Sequence, residues 1–197
     1  MFTILLLIYI TVSLIISKSV NPHPSLENWI CQFHDLFQID TLLTDLLWGS
    51  LTGIGLIVIL SLLDVLVALI SRVNIREWIH RTDHLLPVTA VQKRWALSIS
   101  IVGSLQEEIM FRGFIFIALI PLWSHWIWTA LLLSAVFSLL HASVQGFWST
   151  LWIFIISVVL CMIVALGGSI YFVAIAHILI NITNLFILPL FFKKHDE

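Results

Sequence analysis

The longest uncharged stretch of this chain is its most restrictive feature. No Asp, Glu, Lys or Arg occurs from Gly113 to Phe192, and the 197-residue chain is 60% hydrophobic and only 10% charged. A soluble domain carries about 25% charged residues, because its surface must face water. A water-exposed fold cannot be covered by such a sequence, so we predict an integral membrane protein. The net charge of −2, without a large basic patch, gives no indication of nucleic-acid binding.

The apolar runs predict an all-α fold, a polytopic transmembrane bundle of about six helices around a polar cavity within the membrane. The predicted spans are 2–17, 42–71, 95–122, 126–142, 147–166 and 169–192. The loop from Arg72 to Arg94 holds five of the nine Lys and Arg residues. Because positively charged loops stay in the cytoplasm, both termini are predicted to be cytoplasmic. Trp29, Phe33 and Phe37 recur at helical spacing, which predicts an amphipathic surface helix between the first two spans.

The third predicted span contains three charged residues, Glu107, Glu108 and Arg112. A charge at the centre of a bilayer costs roughly 2.5–3.5 kcal/mol on insertion scales, so this group needs a reason. Glu108 and Arg112 are four residues apart and can pair on one helix face. Glu107 lies about 100° further round the helix, so it is predicted to face a cavity while its neighbour is neutralised. The alternative is a purely structural ion pair, although buried pairs are poor stabilisers.

Polar side chains also interrupt the later apolar runs. His141 follows Phe137 by four residues near the end of the fourth span, and His177 and Asn181 share one face of the sixth span. These residues could serve only to hydrogen-bond neighbouring helices, which membrane proteins do use. Together with the glutamates they instead predict a wet pocket that hydrolyses peptide bonds. The span boundaries put His141 and His177 towards opposite ends of their helices, which such a pocket must reconcile.

Three motifs in this order resemble the CAAX-protease and bacteriocin-processing family, also called the Abi family. They are Glu-Glu-Ile-Met-Phe-Arg-Gly from Glu107, Phe-Ser-Leu-Leu-His from Phe137, and His-Ile-Leu-Ile-Asn from His177. The resemblance divides the chain into three parts. Residues 1–94 would form two membrane helices with an extracytoplasmic polar loop and a basic cytoplasmic loop. Residues 95–192 would form a four-helix catalytic core, and residues 193–197 a short cytoplasmic tail.

The resemblance implies an intramembrane endopeptidase, whose partners are the lipid bilayer and a protein or peptide substrate in the membrane. Within the family, Glu107 and His141 would activate the attacking water. His177 and Asn181 would stabilise the oxyanion, and Glu108, Arg112 and Phe137 would support the site. These roles agree with what peptide hydrolysis requires, namely a base for water and donors aimed at developing negative charge.

The resemblance leaves the metal requirement open, because Glu and His are also zinc ligands. If a metal were bound, its ligands would be Glu107, His141 and His177. The sequence has no His-Glu-x-x-His helix, so a metal-free, glutamate-based mechanism without a cofactor is favoured, with zinc as the alternative.

Two other functions are compatible with the sequence. Some family members are thought to act in bacteriocin immunity or as membrane scaffolds, without proteolysis. A proton-coupled transporter is a third reading, in which Asp64 would join the glutamates and histidines in a relay. The chain's small size favours a processing peptidase of the bacterial inner membrane, which would cleave a protein that bears a leader or a sorting tail.

Overall fold

The described part of the chain is entirely helical. The computed structural model describes residues 26–72, 83, 85–123 and 125–191. Within these residues there are six helices and no strand. The helices are α1 (Leu26–Asp35), α2 (Leu42–Ile70), α3 (90–122), α4 (Trp126–Ser143), α5 (Gln145–Ala165) and α6 (Ile170–Leu190). The all-α prediction is confirmed. The first predicted span, 2–17, and the tail, 193–197, lie outside the described residues.

Four of these helices, α2, α4, α5 and α6, are long and apolar enough to cross a membrane. Their outward faces are apolar, as shown by Leu43 and Leu62 on α2, which are 83% and 65% exposed. Side chains of this kind are stable facing lipid tails rather than water. The protein is therefore an integral membrane protein.

Helix α3 begins earlier than its apolar run predicts. Its first residue is Ala90 rather than Trp95, because Thr89 and Gln92 form a capping box. The Thr89 side chain accepts from the backbone N–H of Gln92 at 3.2 Å, and the Gln92 side chain accepts from the backbone N–H of Thr89 at 2.9 Å. Two otherwise unpaired backbone donors are thereby satisfied, which extends the helix through polar sequence.

Helices α2 and α6 pack side by side and run in the same direction. A Cβ added at Gly49 would lie 2.6 Å from the carbonyl oxygen of Phe172, and one added at Gly53 would lie 3.0 Å from that of Ala176. The two glycines form a Gly-x-x-x-Gly pair, which lets helix backbones approach closely. At the start of both helices, Asp45 accepts hydrogen bonds from the hydroxyls of Thr41 and Ser169. Parallel packing of α2 and α6 is what alternating passes through α3, α4 and α5 require.

Glycines mark the two breaks between the later helices. Gly146 has φ +79° and is the second residue of α5, at the kink that follows α4, while Gly167 has φ +94° and lies between α5 and α6. A positive φ of this size is favourable only without a Cβ. The break predicted at Gly167 is confirmed.

The bundle has a dry half and a half that contains a cavity. In the dry half, Leu36 next to α1 joins a buried core with Ile117, Leu133 and Ile170. Helix α1 is the predicted amphipathic helix, and it packs on the bundle, since the ring of Phe33 lies 4.5 Å from that of Phe114. The other half encloses a cavity of about 950 Å³, which extends towards the loop residues around Pro87.

Candidate active site

Helix α3 carries the two glutamates on a short α-helical turn between two wider π-helical stretches. The turn is Ser104–Glu108, and the π stretches are Ile99–Gly103 and Ile109–Phe116. A π-helical stretch changes the rotation per residue, and such stretches are frequent at functional sites. The turn lies beside α6, whose residues His177 and Asn181 face it.

Glu108 is the centre of a buried charged chain. Its Oε1 accepts from Arg112 Nη1 at 2.9 Å and pairs with His177 Nδ1 at 2.6 Å. The side chains of Glu108 and Arg112 are fully buried. The predicted pairing of Glu108 with Arg112 is present, and the structure adds His177 as a second partner. Because the carboxylate only accepts, Nδ1 of His177 must carry the proton. Glu108 therefore fixes the orientation of the imidazole.

Arg112 is held on its other side by Ser157 of α5. Arg112 Nη2 donates to the Ser157 hydroxyl at 2.7 Å and to the Ser157 carbonyl oxygen at 3.4 Å. The guanidinium also lies over the ring of Phe137, 4.8 Å from its centroid. Ser157 was not singled out in the sequence. The sequence gives little indication of its role, because the hydroxyl of a single serine in a membrane helix usually hydrogen-bonds to the backbone of the same helix.

Glu107 faces the cavity, as its 100° offset from Glu108 predicts. Its side chain is 35% exposed, whereas that of Glu108 is fully buried. Glu107 Oε2 lies 3.9 Å from His177 Nε2, the nitrogen that Glu108 leaves unused. The separation is too long for a hydrogen bond, and the two groups form an ion pair only when His177 is protonated. Both groups are therefore open to the cavity.

Asn181 lies one turn after His177 and is held by Ser104. Its Nδ2 donates to the Ser104 hydroxyl at 2.9 Å, and Ser104 itself is 1% exposed. Ser104 was also missed in the sequence, although it precedes Glu108 by four residues on the same helix. That spacing, applied to a polar residue, is a signal that could have identified it.

His141 lies in the last turn of α4 and lines the same cavity. Its Nδ1 is 2.9 Å from the carbonyl oxygen of Phe137. A carbonyl oxygen only accepts, so Nδ1 carries the proton and Nε2 has a lone pair. The ring of Phe137 lies 4.8 Å from the His141 ring and 6.2 Å from the His177 ring, and so connects the two histidines.

The four residues predicted to activate water or to stabilise the oxyanion all line one cavity, namely Glu107, His141, His177 and Asn181. Glu108 lies behind His177 and is not in the lining. In the part of the chain that the structure describes, no three His, Cys, Asp or Glu side chains are arranged to hold a metal ion. His177 Nδ1 is occupied by Glu108, and His141 Nδ1 by a backbone carbonyl. These contacts leave Nε2 of each ring without a hydrogen-bond partner among them, as in histidines that bind metals, so the zinc alternative stays a prediction.

The geometry can be compared with known families. Residues 89–183 match the model of the Rce1-like family, described as type II CAAX prenyl endopeptidase Rce1-like. This segment is an Rce1-like domain. No match was found among curated proteins or among solved structures.

The Rce1-like domain begins at the residue that caps α3 and ends within α6. It contains all three motifs, from Glu107 to Asn181. The resemblance predicted from those motifs is therefore confirmed, and the chain carries an endopeptidase domain in a membrane-embedded bundle.

Proposed function

We propose that this protein is an intramembrane endopeptidase that hydrolyses a peptide bond of a membrane-associated protein. The observation that supports the proposal is the convergence of Glu107, His141, His177 and Asn181 on one cavity beside a buried charged chain. In this proposal, a base for water and donors for an oxyanion face the same space.

Glu107 and His141 are proposed to activate the attacking water. Glu107 has the more exposed carboxylate of the glutamate pair, so water can reach it. His141 has Nε2 available as an acceptor, because its Nδ1–H is donated to the Phe137 carbonyl. One proton of the water passes to Glu107, while the O–H that remains donates a hydrogen bond to His141 Nε2. Positioned bases of this kind contribute about 10²–10⁴-fold to rate.

His177 and Asn181 are proposed to stabilise the oxyanion. Glu107 and Glu108 bring two negative charges and Arg112 one positive charge, so protonated His177 makes the sum of the four charges zero. A neutral sum reduces the cost of burying charges in a medium of low dielectric. Protonated His177 presents Nε2–H to the cavity, and Asn181 presents its second N–H. Removal of one such donor typically costs about 10²–10³-fold in kcat.

The proposed reaction balances without a further reagent. The water oxygen bonds to the carbonyl carbon as Glu107 takes its proton, and the carbonyl oxygen becomes the oxyanion. The C–N bond then breaks, and the proton on Glu107 passes to the leaving nitrogen. The products are a new carboxyl terminus and a new amino terminus. No step of this proposal uses a metal ion.

The proposed substrate is a protein anchored in or bound to the membrane, with a leader or a tail that enters the cavity. The matching family is described as a type II CAAX prenyl endopeptidase. The cavity lining combines polar groups such as Asn184 and Gln145 with apolar ones such as Leu60 and Leu185. This lining suits an extended peptide segment whose side chains are partly apolar.

The test is cleavage of a quenched peptide library by the purified protein in liposomes. The variants are Glu107→Gln and His141→Ala, each assayed with and without a strong chelator. Asp40→Asn, which removes an exposed carboxylate outside the site, is the matched control. We expect wild type and control to cleave in chelator and both site variants to be inactive.

Two results would contradict parts of the proposal. Loss of wild-type cleavage in chelator, with recovery on adding zinc, would make Glu107, His141 and His177 metal ligands. Absence of cleavage, together with normal behaviour of both variants in the host cell, would favour the non-proteolytic immunity or scaffold alternative.

A further inference from the structure

We infer that Ser157 and Ser104, two serines outside the sequence motifs, are positioning residues for the hydrolysis. Ser157 lies outside the cavity lining, and Ser104 borders the cavity with only 1% of its surface exposed. Each instead holds a residue that acts on that space. The inference rests on the proposed function, and it adds α5 to the helices that build the site.

The hydroxyl of a buried serine in a membrane helix ordinarily donates a hydrogen bond to a carbonyl oxygen of its own helix. Ser138 donates to the carbonyl oxygen of Ala135, and Ser100 donates to that of Ala96. Bonds of this type to the preceding turn are common and carry no information about function. Ser157 and Ser104 differ, because each accepts a hydrogen bond from a site residue on another helix.

Ser157 controls the orientation of His177 through a chain of charged groups. It accepts from Arg112 Nη2 at 2.7 Å, Arg112 donates to Glu108, and Glu108 pairs with His177 Nδ1. Ser157, Glu108 and Arg112 are all at most 1% exposed, so water cannot replace a lost partner. Without the Ser157 hydroxyl, Arg112 Nη2 keeps only the carbonyl contact at 3.4 Å. The guanidinium can then rotate, and the Glu108 carboxylate moves with it.

Ser104 controls Asn181 directly. Its hydroxyl accepts one N–H of the carboxamide at 2.9 Å, which leaves the other N–H for the oxyanion. Ser104 lies on the same α-helical turn as Glu107. The turn therefore supplies both the proposed base and the group that orients one oxyanion donor. A shift of that turn would move both together.

The experiment compares Ser157→Ala, Ser104→Ala and the control Ser138→Ala by steady-state cleavage in liposomes. We expect kcat to fall by about 10- to 100-fold in both test variants, the range seen when groups that orient a ligand are removed. We expect KM to stay within about twofold, because Ser157 lies outside the cavity lining and Ser104 borders the cavity with only 1% of its surface exposed. Ser138→Ala should keep wild-type kcat, because it removes a buried hydroxyl that bonds only to its own helix.

Nitrogen NMR of ¹⁵N-histidine-labelled protein distinguishes the effect of Ser157 on His177 from the effect of Ser104 on Asn181. This measurement does not depend on activity. The His177 signal is assigned by its loss in His177→Gln. Ser157→Ala should shift that signal, whereas Ser104→Ala and Ser138→Ala should leave it in place. Ser157→Thr and Ser104→Thr, which keep a hydroxyl, should recover most of the lost kcat and guard against misfolding of the alanine variants.

Wild-type kcat in Ser157→Ala and Ser104→Ala, or an unshifted His177 signal in Ser157→Ala, would overturn the inference. A fall in kcat of the same size in Ser138→Ala would also overturn it, since loss of any buried hydroxyl would then suffice. If the wild type cleaves nothing, the proposed function fails, while the His177 signal still decides whether Ser157 orients that ring.

Discussion

Replacement of Glu107 or of Glu108 by glutamine should affect stability and cleavage differently. Glu107 and Glu108 are adjacent, yet the side chain of the first is 35% exposed and that of the second is fully buried. Glu107→Gln should abolish most cleavage and leave the fold intact. Glu108→Gln should destabilise the protein, because it leaves the Arg112 guanidinium buried without its anion.

The magnitudes follow from these environments. Loss of a general base costs about 10²–10⁴-fold in kcat, or about 2.7–5.4 kcal/mol of transition-state stabilisation. Substitution of a partly exposed side chain usually changes the free energy of unfolding by less than about 0.5 kcal/mol. Removal of one member of a buried ion pair costs about 3–5 kcal/mol. Glutamine keeps one carbonyl oxygen as an acceptor for Arg112, so we expect the lower end of that range for Glu108→Gln.

Both effects can be measured on the same preparations. The assays are peptide cleavage in liposomes and the thermal unfolding midpoint in detergent. Glu108→Gln should also lower kcat, because His177 loses the carboxylate that orients its Nδ1. Equal unfolding midpoints for the two glutamine variants would refute the buried-pair argument. Retention of more than about a tenth of wild-type kcat by Glu107→Gln would refute its role as the base.

Three further substitutions test the packing and the charged chain. Gly49→Ala should lower the unfolding midpoint, because its Cβ would lie 2.6 Å from a backbone oxygen of α6. The control is Gly55→Ala, whose Cβ would meet nothing within 4 Å. This control should gain up to about 1 kcal/mol of stability from its higher helix propensity. Asp45→Ala should cost about 1–3 kcal/mol of unfolding free energy by leaving two hydroxyls unpaired, with kcat unchanged, because it lies at the start of α2 away from the cavity lining. Arg112→Lys should lower both kcat and the midpoint, since an ammonium cannot replace a planar guanidinium that donates to two helices at once. An unchanged midpoint in Gly49→Ala, a fall in kcat in Asp45→Ala, or wild-type kinetics in Arg112→Lys would each contradict the corresponding argument.

The helices were predictable because apolar length and glycine breaks dictate them. The ends of α2, α4, α5 and α6 lie within two residues of the predicted ends wherever the structure describes them. Only the beginning of α3 was wrong, by five residues. Its first turn is polar and is stabilised by the Thr89 capping box rather than by hydrophobic burial. A search for apolar runs does not detect a helix of that kind.

The relative positions of the two histidines could not be deduced from helix boundaries. His141 and His177 were expected towards opposite ends of their helices, and the structure brings both to one cavity. Phe137, one turn before His141, reaches the His177 ring and covers part of the separation along the bundle. The depth of each helix depends on packing, such as the Gly49 contact with α6, and the sequence of one helix alone does not reveal it.

The supporting hydroxyls could not be deduced for a related reason. Ser157 and Ser104 look like any other serine in an apolar run until a partner from another helix is known. Asp64 is a similar case, since its place towards the end of the second predicted span favours hydration at the membrane interface or pairing with Arg72 or Arg76. Its Oδ1 accepts from Trp152 Nε1 at 2.8 Å, a pairing that no local spacing indicates. Arg76 lies outside the described residues.

The dry half of the bundle has a consequence for the release of products. The core around Leu36 and Ile170 fills the end at α1, while the cavity extends from Glu107 to the loop around Pro87. A fragment that leaves by the loop through which the substrate entered would compete with the next substrate for that route. The departing fragment would then block the entry of the next substrate molecule. We expect each cleavage product to inhibit competitively, and a purely non-competitive pattern for both products would require a second exit.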